Sequence, residues 1–102
     1  RLYARVSGYY MAGGSYSLSS TASSNFRHFI AIDKNGGTER LVANEKHVVS
    51  GQYVGIISTT VGMFWMNAGD YIEIKAYQSS GSSLNTGTAN PSNCEGWLVR
   101  IA

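Results

Sequence analysis

The chain has 102 residues, of which 43% are hydrophobic and 14% charged, and its formal net charge is +2. This length fits one domain, and so small and unclustered a positive charge argues against a nucleic-acid partner. No apolar stretch approaches the roughly 18 residues of a membrane-spanning helix, so we expect no membrane insertion, and the single cysteine, Cys94, has no partner for a disulfide within the chain.

Alternating apolar and polar side chains predict two strands at the start of the chain, over residues 2–6 and 9–18. The glycines Gly13 and Gly14 inside the second strand predict a bulge or a close approach by another backbone. A polar loop over residues 19–25 follows. Because the chain begins within the approach to a strand, we expect the domain to lack upstream strands.

A hairpin is predicted in the middle of the chain. Residues 26–34 form one arm, and Asn35-Gly36-Gly37 is a strong turn signal because these residues tolerate positive φ. Residues 38–44 return as the second arm. The pattern over residues 45–52 is ambiguous between a loop and a short strand.

The longest hairpin is predicted over residues 54–78, around a turn at residues 67–70. A loop over residues 79–93 and a closing strand over residues 95–102 complete the chain. With seven or eight short strands and no helical periodicity, the sequence predicts an all-β sandwich or barrel in a single domain, residues 1–102.

The first arm of that hairpin, residues 54–66, carries large apolar side chains on both faces, whereas an antiparallel strand normally has one solvated face. Its outer side must be covered either by a third layer of the same domain or by a neighbouring subunit. The second interpretation is favoured because domains usually have two layers, and the low charge is typical of a chain that hides part of its surface. The predicted subunit interface consists of Tyr9, Met11, Ile57, Thr59, Val61, Met63 and Trp65.

Four motifs, in order, resemble the jelly-roll domains of the tumour necrosis factor and complement C-one-q families. They are V-S-G-Y-Y at residues 6–10, I-D-K-N-G at 32–36, M-N-A-G-D-Y-I at 66–72 and C-E-G-W-L at 94–98, with Cys94 where phenylalanine is common. The resemblance implies a two-sheet antiparallel jelly-roll sandwich that assembles as a homotrimer. It also implies that the sheet holding the apolar strand faces the threefold axis.

The chain departs from this family at its start, because the family begins with further strands. The Asn-Ala-Gly-Asp turn and the Ser/Gly-rich loops are most similar to bacterial and phage members, which cap fibres and surface filaments.

The sequence carries no recognisable set of catalytic residues. Cys94 with His28 or His47 is the available nucleophile and base, but no local signature surrounds them, and we expect Cys94 and His28 to be packed and His47 to be exposed. Metal-ligand spacings are absent. Asp70 is expected to cap its own turn, and a cation at Asp70 or Asp33 is a weak alternative. We therefore expect a protein that is not an enzyme and holds no cofactor.

The loop over residues 79–93 is the surface candidate for ligand binding, because loops on rigid sandwiches carry function and its composition suits adaptable hydrogen bonds. The alternative is a plain connector. The candidate ligand-binding residues are Ser79, Ser80, Ser82, Asn85 and Asn90.

Together these features predict a non-enzymatic homotrimer on a virion or an extracellular surface. It would bind a cell-surface receptor or glycan at the tip of a phage tail fibre or a bacterial surface filament. The alternatives are a purely structural virion or coat protein and a secreted cytokine-like ligand.

Overall fold

The structure is a computed structural model that describes residues 1–81 and 94–102, apart from the side chains of Ser19 and Ser20. The strands in this part of the chain are β1 (Leu2–Tyr3), β2 (Gly8–Thr21), β3 (Phe26–Lys34), β4 (Glu39–Val48), β5 (Tyr53–Met66), β6 (Tyr71–Gln78) and β7 (Cys94–Arg100). They form two antiparallel sheets, a four-stranded sheet of order β1-β6-β3-β4 and a three-stranded sheet of order β5-β2-β7. The predicted all-β class is therefore confirmed. The predicted hairpin over residues 54–78 is wrong, because β5 and β6 lie in different sheets and the turn between them crosses from one sheet to the other.

The apolar core lies between the two sheets, in two clusters to which both sheets contribute. The first cluster contains Tyr16, Leu18, Ala22, Phe26, Ile30, Val48, Val54 and Ile57. The second contains Ala4, Tyr10, Ala12, Ile32, Met66 and Ile72. Since Tyr10, Ala12 and Tyr16 of β2 face inward, the odd-numbered residues of that part of β2 face outward.

The predicted hairpin between β3 and β4 is confirmed. A 3-10 turn, Asn35–Gly37, joins the two strands, and its residues have φ angles of 51°, 73° and 94°. Asparagine and glycine adopt this left-handed region at the lowest steric cost, which explains why this tripeptide stands here. β4 then runs on to Val48, so the ambiguous segment over residues 45–52 begins as strand.

The first strand is shorter than predicted, since β1 ends at Tyr3 instead of residue 6. Ala4 instead bonds to the turn between β5 and β6. Its N–H donates to the Asp70 carbonyl at 2.8 Å, and its own carbonyl accepts from the Gly69 N–H at 2.8 Å. β2 is longer than predicted, because it continues to Thr21 inside the expected polar loop.

The prediction that five β5 residues share one outer interface is wrong for the first half of the strand. Ile57 and Thr59 are only 4% and 8% exposed and point into the sandwich, and Val61 packs against the second core cluster. These three residues therefore cannot line an outer interface. Only Met63 and Trp65, of the five β5 residues predicted to share that interface, point outward.

A β-bulge causes this reversal. Tyr10 of β2 pairs with Phe64, but Ala12 pairs with Val61, so two β5 residues, 62 and 63, lie opposite Met11 alone. One extra residue on a strand switches every following side chain to the other face. Phe64 therefore turns toward the core.

The register is regular at Gly13 and Gly14, so neither residue forms the predicted bulge, and the closest approach to each is by a side chain. A Cβ on Gly14 would lie 2.9 Å from Cγ2 of Ile74, on the facing sheet, and 3.2 Å from the Glu95 carbonyl oxygen. Ile74 therefore fills the space that a side chain on Gly14 would occupy.

We predict that Gly14→Ala lowers the free energy of unfolding by about 1–3 kcal/mol, the usual cost of overpacking a core. Gly62→Ala is the matched control, because a Cβ there would have no atom within 4 Å, and we expect a change within about 0.5 kcal/mol. Urea denaturation at one protein concentration measures both. Equal stability of the two variants would contradict this packing.

Candidate functional site

The two outer faces of the sandwich differ in chemistry. On the four-stranded sheet, which we call the charged face, the Asp33 side chain is 2% exposed and is held by two cations. Arg40 donates from Nε to Oδ1 at 2.7 Å and from Nη2 to Oδ2 at 3.2 Å, while Lys75 lies 3.1 Å from Oδ2. These hydrogen bonds, chiefly those from Arg40, outweigh burial and lower the pKa of Asp33.

Further ion pairs join neighbouring strands on the charged face. Arg27 lies 3.2 Å from Glu45, and Arg1 lies 3.3 Å from Glu73. A surface whose charges satisfy one another in this way is a normal solvent-facing side of an antiparallel sheet. Asp33, which the sequence offered as a weak metal candidate, is therefore already bound by Arg40.

The outer side of the three-stranded sheet, which we call the apolar face, is different. Strand pairing places Tyr9 beside Trp65 and Met11 beside Val99, and the Tyr9 and Trp65 rings meet edge to face at 5.1 Å. The bulge places Met63 on the same side, where it is 66% exposed. We call these five residues the apolar rows.

Four of the seven residues predicted for a subunit interface therefore lie together on the apolar face, namely Tyr9, Met11, Met63 and Trp65. Sequence reasoning missed Val99, Trp97 and Ile56 on this face. The alternation that turns Trp97 and Val99 to one side is visible in the sequence. Their place beside β2 is not, because it depends on pairing between strands that are distant along the chain.

The apolar face becomes polar toward the start of β7. Gly13 lies between Trp97 and Thr60, and two residues further on Ser15 lies between Glu95 and Ser58. Among the residues that point outward from these three strands in the described structure, Glu95 is the only charged one. The apolar face therefore has an apolar half and a hydroxyl-rich half.

The predicted packing of His28 is confirmed. It is fully buried, and its Nδ1 lies 3.0 Å from the Tyr16 hydroxyl, which also reaches the Tyr77 carbonyl at 3.1 Å. Burial, aided by the positive charge of Lys46, lowers the pKa of His28. Burial likewise raises the pKa of Tyr16 to about 12. The His28–Tyr16 contact thus belongs to the core.

The two other candidates for nucleophile and base lie on the surface. His47 is exposed, as expected. The expectation that Cys94 is buried is wrong, because it is exposed at the start of the edge strand β7. Its backbone pairs with Tyr16, and a residue at the end of an edge strand has neighbours on fewer sides than one in a central strand.

Asp70 caps its turn, as expected. Its Oδ2 accepts from the Asn67 N–H at 2.8 Å, and its Oδ1 accepts from Nδ2 of Asn35 at 3.2 Å. The bond from Asn67 is the main cause that lowers the pKa of Asp70. Within residues 1–81 and 94–102, no group of three or more His, Cys, Asp or Glu could hold a metal ion.

The candidate ligand-binding loop is described only at its beginning. The Ser79 N–H donates to the Arg27 carbonyl at 2.9 Å, and its Oγ accepts from the Arg27 N–H at 3.0 Å. The Ser80 N–H donates to Oε1 of Gln78 at 2.7 Å. The other three candidates, Ser82, Asn85 and Asn90, lie outside the described residues.

No helix in the described ranges is long and apolar enough to cross a membrane.

No protein-family model matches this chain, and searches of curated proteins and of solved structures found no match to it. The resemblance to the tumour necrosis factor and complement families therefore stays a prediction.

We predict that stability falls on acidification because of His28. Its folded-state pKa is lowered, so the unfolded chain binds the proton more tightly than the folded protein does. The full free energy of unfolding is therefore present above the ordinary histidine pKa of about 6.5 and decreases as the pH falls through that value. The slope cannot exceed about 1.4 kcal/mol per pH unit, the limit for one proton.

Urea denaturation between pH 7.5 and 5 measures this slope. His28→Asn keeps a neutral polar group near Tyr16 and should flatten the slope, while His47→Asn, which removes the exposed histidine, should not. Hydrogen bonds lower the pKa values of Asp33 and Asp70 from the ordinary carboxyl value, so these two groups act in a separate, more acidic window. An unchanged slope in His28→Asn would show that this histidine is not the cause.

Proposed function

We propose that this protein is a non-enzymatic trimerisation and binding module of the jelly-roll type. It would be displayed on a virion or an extracellular surface, at the tip of a phage fibre or a bacterial filament. There it would bind a cell-surface receptor or a glycan. The observation that carries this proposal is the exposure of the apolar rows.

The size of the apolar rows supports an interface. With roughly 150–250 Å² for a whole aromatic side chain, the exposed parts of the five residues together present on the order of 500 Å². The largest apolar patch on a typical monomer is about 300–600 Å² and is often functional, and a standard interface buries roughly 800 Å² per partner. The apolar rows are therefore large enough to form the apolar centre of such an interface.

The free energy of burying the apolar rows is also consistent with an interface. Burying a whole large apolar side chain contributes about 1.5–3 kcal/mol, so five half-exposed ones contribute on the order of 5 kcal/mol per copy. A trimer forms in two association steps that each cost about 4–15 kcal/mol, so the roughly 15 kcal/mol from three copies offsets the lower part of that total. The partner best suited to the apolar rows is a second copy of the chain, because the same uncharged surface on each copy then excludes water from the other.

The strand order supports the jelly-roll assignment. Apart from the β3–β4 hairpin, consecutive strands of the described part of the chain lie in different sheets. Repeated crossing between two antiparallel sheets is typical of jelly rolls. The resemblance supplies the threefold symmetry, with the sheet that contains β5 facing the axis.

The apolar rows alone also fit a purely structural coat subunit, which would use them for assembly and bind no ligand. A glycan array tests this alternative, because a coat subunit should retain no glycan, so a retained glycan contradicts the purely structural function.

We predict that the protein sediments as a trimer at micromolar concentration and that Met63→Asp weakens this association by at least about tenfold, because it places a charge in an apolar contact. Met63 is a better position for this test than Trp65. The Trp65 Nε1 donates to Oδ1 of Asn67 at 3.0 Å and thereby supports the turn, so changing Trp65 would also disturb the fold. Analytical ultracentrifugation over a concentration series measures the effect.

Val49→Asp is the matched control, because Val49 is 54% exposed but lies in the turn between β4 and β5, away from the apolar face. It should sediment like the wild type. A wild-type protein that stays monomeric at micromolar concentration would disprove the assembly part of the proposal.

A further inference from the structure

The hydroxyl-rich half of the apolar face contains a shallow cleft of about 240 Å³. We call it the hydroxyl cleft. The side chains that line it and carry the argument are Ser15, Ser58, Thr60, Glu95 and Trp97. Three neighbouring strands build it, with Glu95, Ser15 and Ser58 in one row and Trp97, Gly13 and Thr60 in the next outward-facing row.

Gly13 determines how Trp97 lies in this cleft. A Cβ on Gly13 would be 2.5 Å from Cζ2 of the indole and 2.8 Å from its Nε1, so the ring covers the glycine backbone. The Trp97 residue nevertheless keeps 39% of its surface exposed. It is therefore supported on the protein side by the sheet and open to a ligand on the solvent side.

The polar side chains of the hydroxyl cleft have no hydrogen-bond or ion-pair partner among the described residues. Glu95 makes no salt bridge within the described part of the chain, whereas Asp33, Glu45 and Glu73 are each held by an arginine or a lysine. The hydroxyls of the serines and the threonine in the cleft likewise have no hydrogen bond to any described residue. The cleft thus offers one carboxylate acceptor and three hydroxyls that both donate and accept.

We propose that the hydroxyl cleft binds one neutral sugar ring of a glycan. The C–H face of the sugar stacks on Trp97, because polarised C–H groups are attracted to the negative face of an aromatic ring. Sugar hydroxyls donate to the Glu95 carboxylate, a charge-assisted bond of the stronger kind, and exchange hydrogen bonds with Ser15 and Ser58. The combination of an apolar surface with a few fixed polar groups is typical of small-molecule sites.

The negative charge of Glu95 also determines which sugars enter. It repels a carboxylate or sulfate on the ligand, so acidic sugars are excluded while neutral ones bind. The volume of the cleft is below the roughly 300–1,000 Å³ of drug-sized sites, which matches a single ring and a weak affinity for each copy. Several copies in one assembly would compensate through avidity.

This inference deepens the proposed function by naming a ligand class and a site, and it rests on the binding part of that function alone. The hydroxyl cleft lies beyond the apolar rows along β2, from Gly13 onward. Copies that pack through the apolar rows can therefore leave the cleft open at the rim of their interface.

The test is an NMR titration of ¹⁵N-labelled protein with the methyl glycosides of glucose, galactose, mannose and N-acetylglucosamine, and with the methyl glycoside of N-acetylneuraminic acid as the acidic probe. We expect saturable shifts of the Gly13, Ser15 and Trp97 amides with at least one neutral glycoside, at a millimolar dissociation constant. The acidic probe should produce no saturable shift. A wild-type protein that none of the neutral probes saturates would overturn the proposal.

Variants locate the site. Glu95→Gln should weaken neutral-sugar binding by about tenfold, as expected when a charge-assisted hydrogen bond becomes a neutral one, and should also relax the exclusion of the acidic probe. Trp97→Leu should abolish binding. Because this change could also unfold the edge strand, Ser58→Val, expected to weaken binding by about threefold, is the second test.

Two controls match these variants, Tyr77→Leu for the aromatic and Ser50→Ala for the hydroxyl. Tyr77 is 54% exposed on the charged face, and Ser50 lies in the turn between β4 and β5. Both should bind as the wild type does. If sugar binding survives Glu95→Gln and Ser58→Val unchanged, the hydroxyl cleft is not the site.

Ultracentrifugation of the same samples separates this proposal from the assembly. A monomer that binds a neutral sugar would overturn trimerisation and leave the cleft assignment standing. A trimer that binds no neutral sugar would overturn the cleft assignment and leave the assembly standing.

Discussion

The bulge in β5 opposite Met11 is the constraint on which the rest of the structure depends, because it divides the apolar side chains of that long strand between core and surface. Before the bulge, Ile57 fills the sandwich interior, and after it Met66 does. A regular strand would keep the odd-numbered side chains inside throughout, so Met63 and Trp65 would be buried and Met66 exposed. One extra residue therefore both completes the core and forms the apolar rows.

The two outer faces then have different requirements. On the charged face, Asp33 is neutralised by Arg40 and Lys75 within the same sheet, so the four-stranded sheet satisfies its own polar groups. The apolar rows have no equivalent, because their side chains gain only by leaving water. A sandwich with uncharged apolar rows on one side and ion-paired strands on the other is an arrangement that association through the apolar rows stabilises.

Local patterns in the sequence were sufficient for part of this structure. The Asn35–Gly37 turn and the Asp70 cap depend on residues close in sequence, and they are found as predicted. The faces of β5 could not be assigned correctly, because a bulge depends on pairing with β2, and Gly62 was a weak local signal for it. The exposure of Cys94 was missed for the same reason, since the edge position of β7 is a property of the whole sheet.

Gly13 and Gly14 show how a correct local signal can have a different cause from the predicted one. The glycine pair does mark a close approach, which at Gly14 includes the Glu95 carbonyl, but the nearest groups are side chains, with Trp97 outside and Ile74 inside. On the inner side the glycine lets the two sheets pack against each other. On the outer side it lets an indole lie against the backbone, where any larger residue would push the ring into solvent. The same dipeptide thus links the density of the core to the shape of the hydroxyl cleft, because both depend on the missing side chains of Gly13 and Gly14.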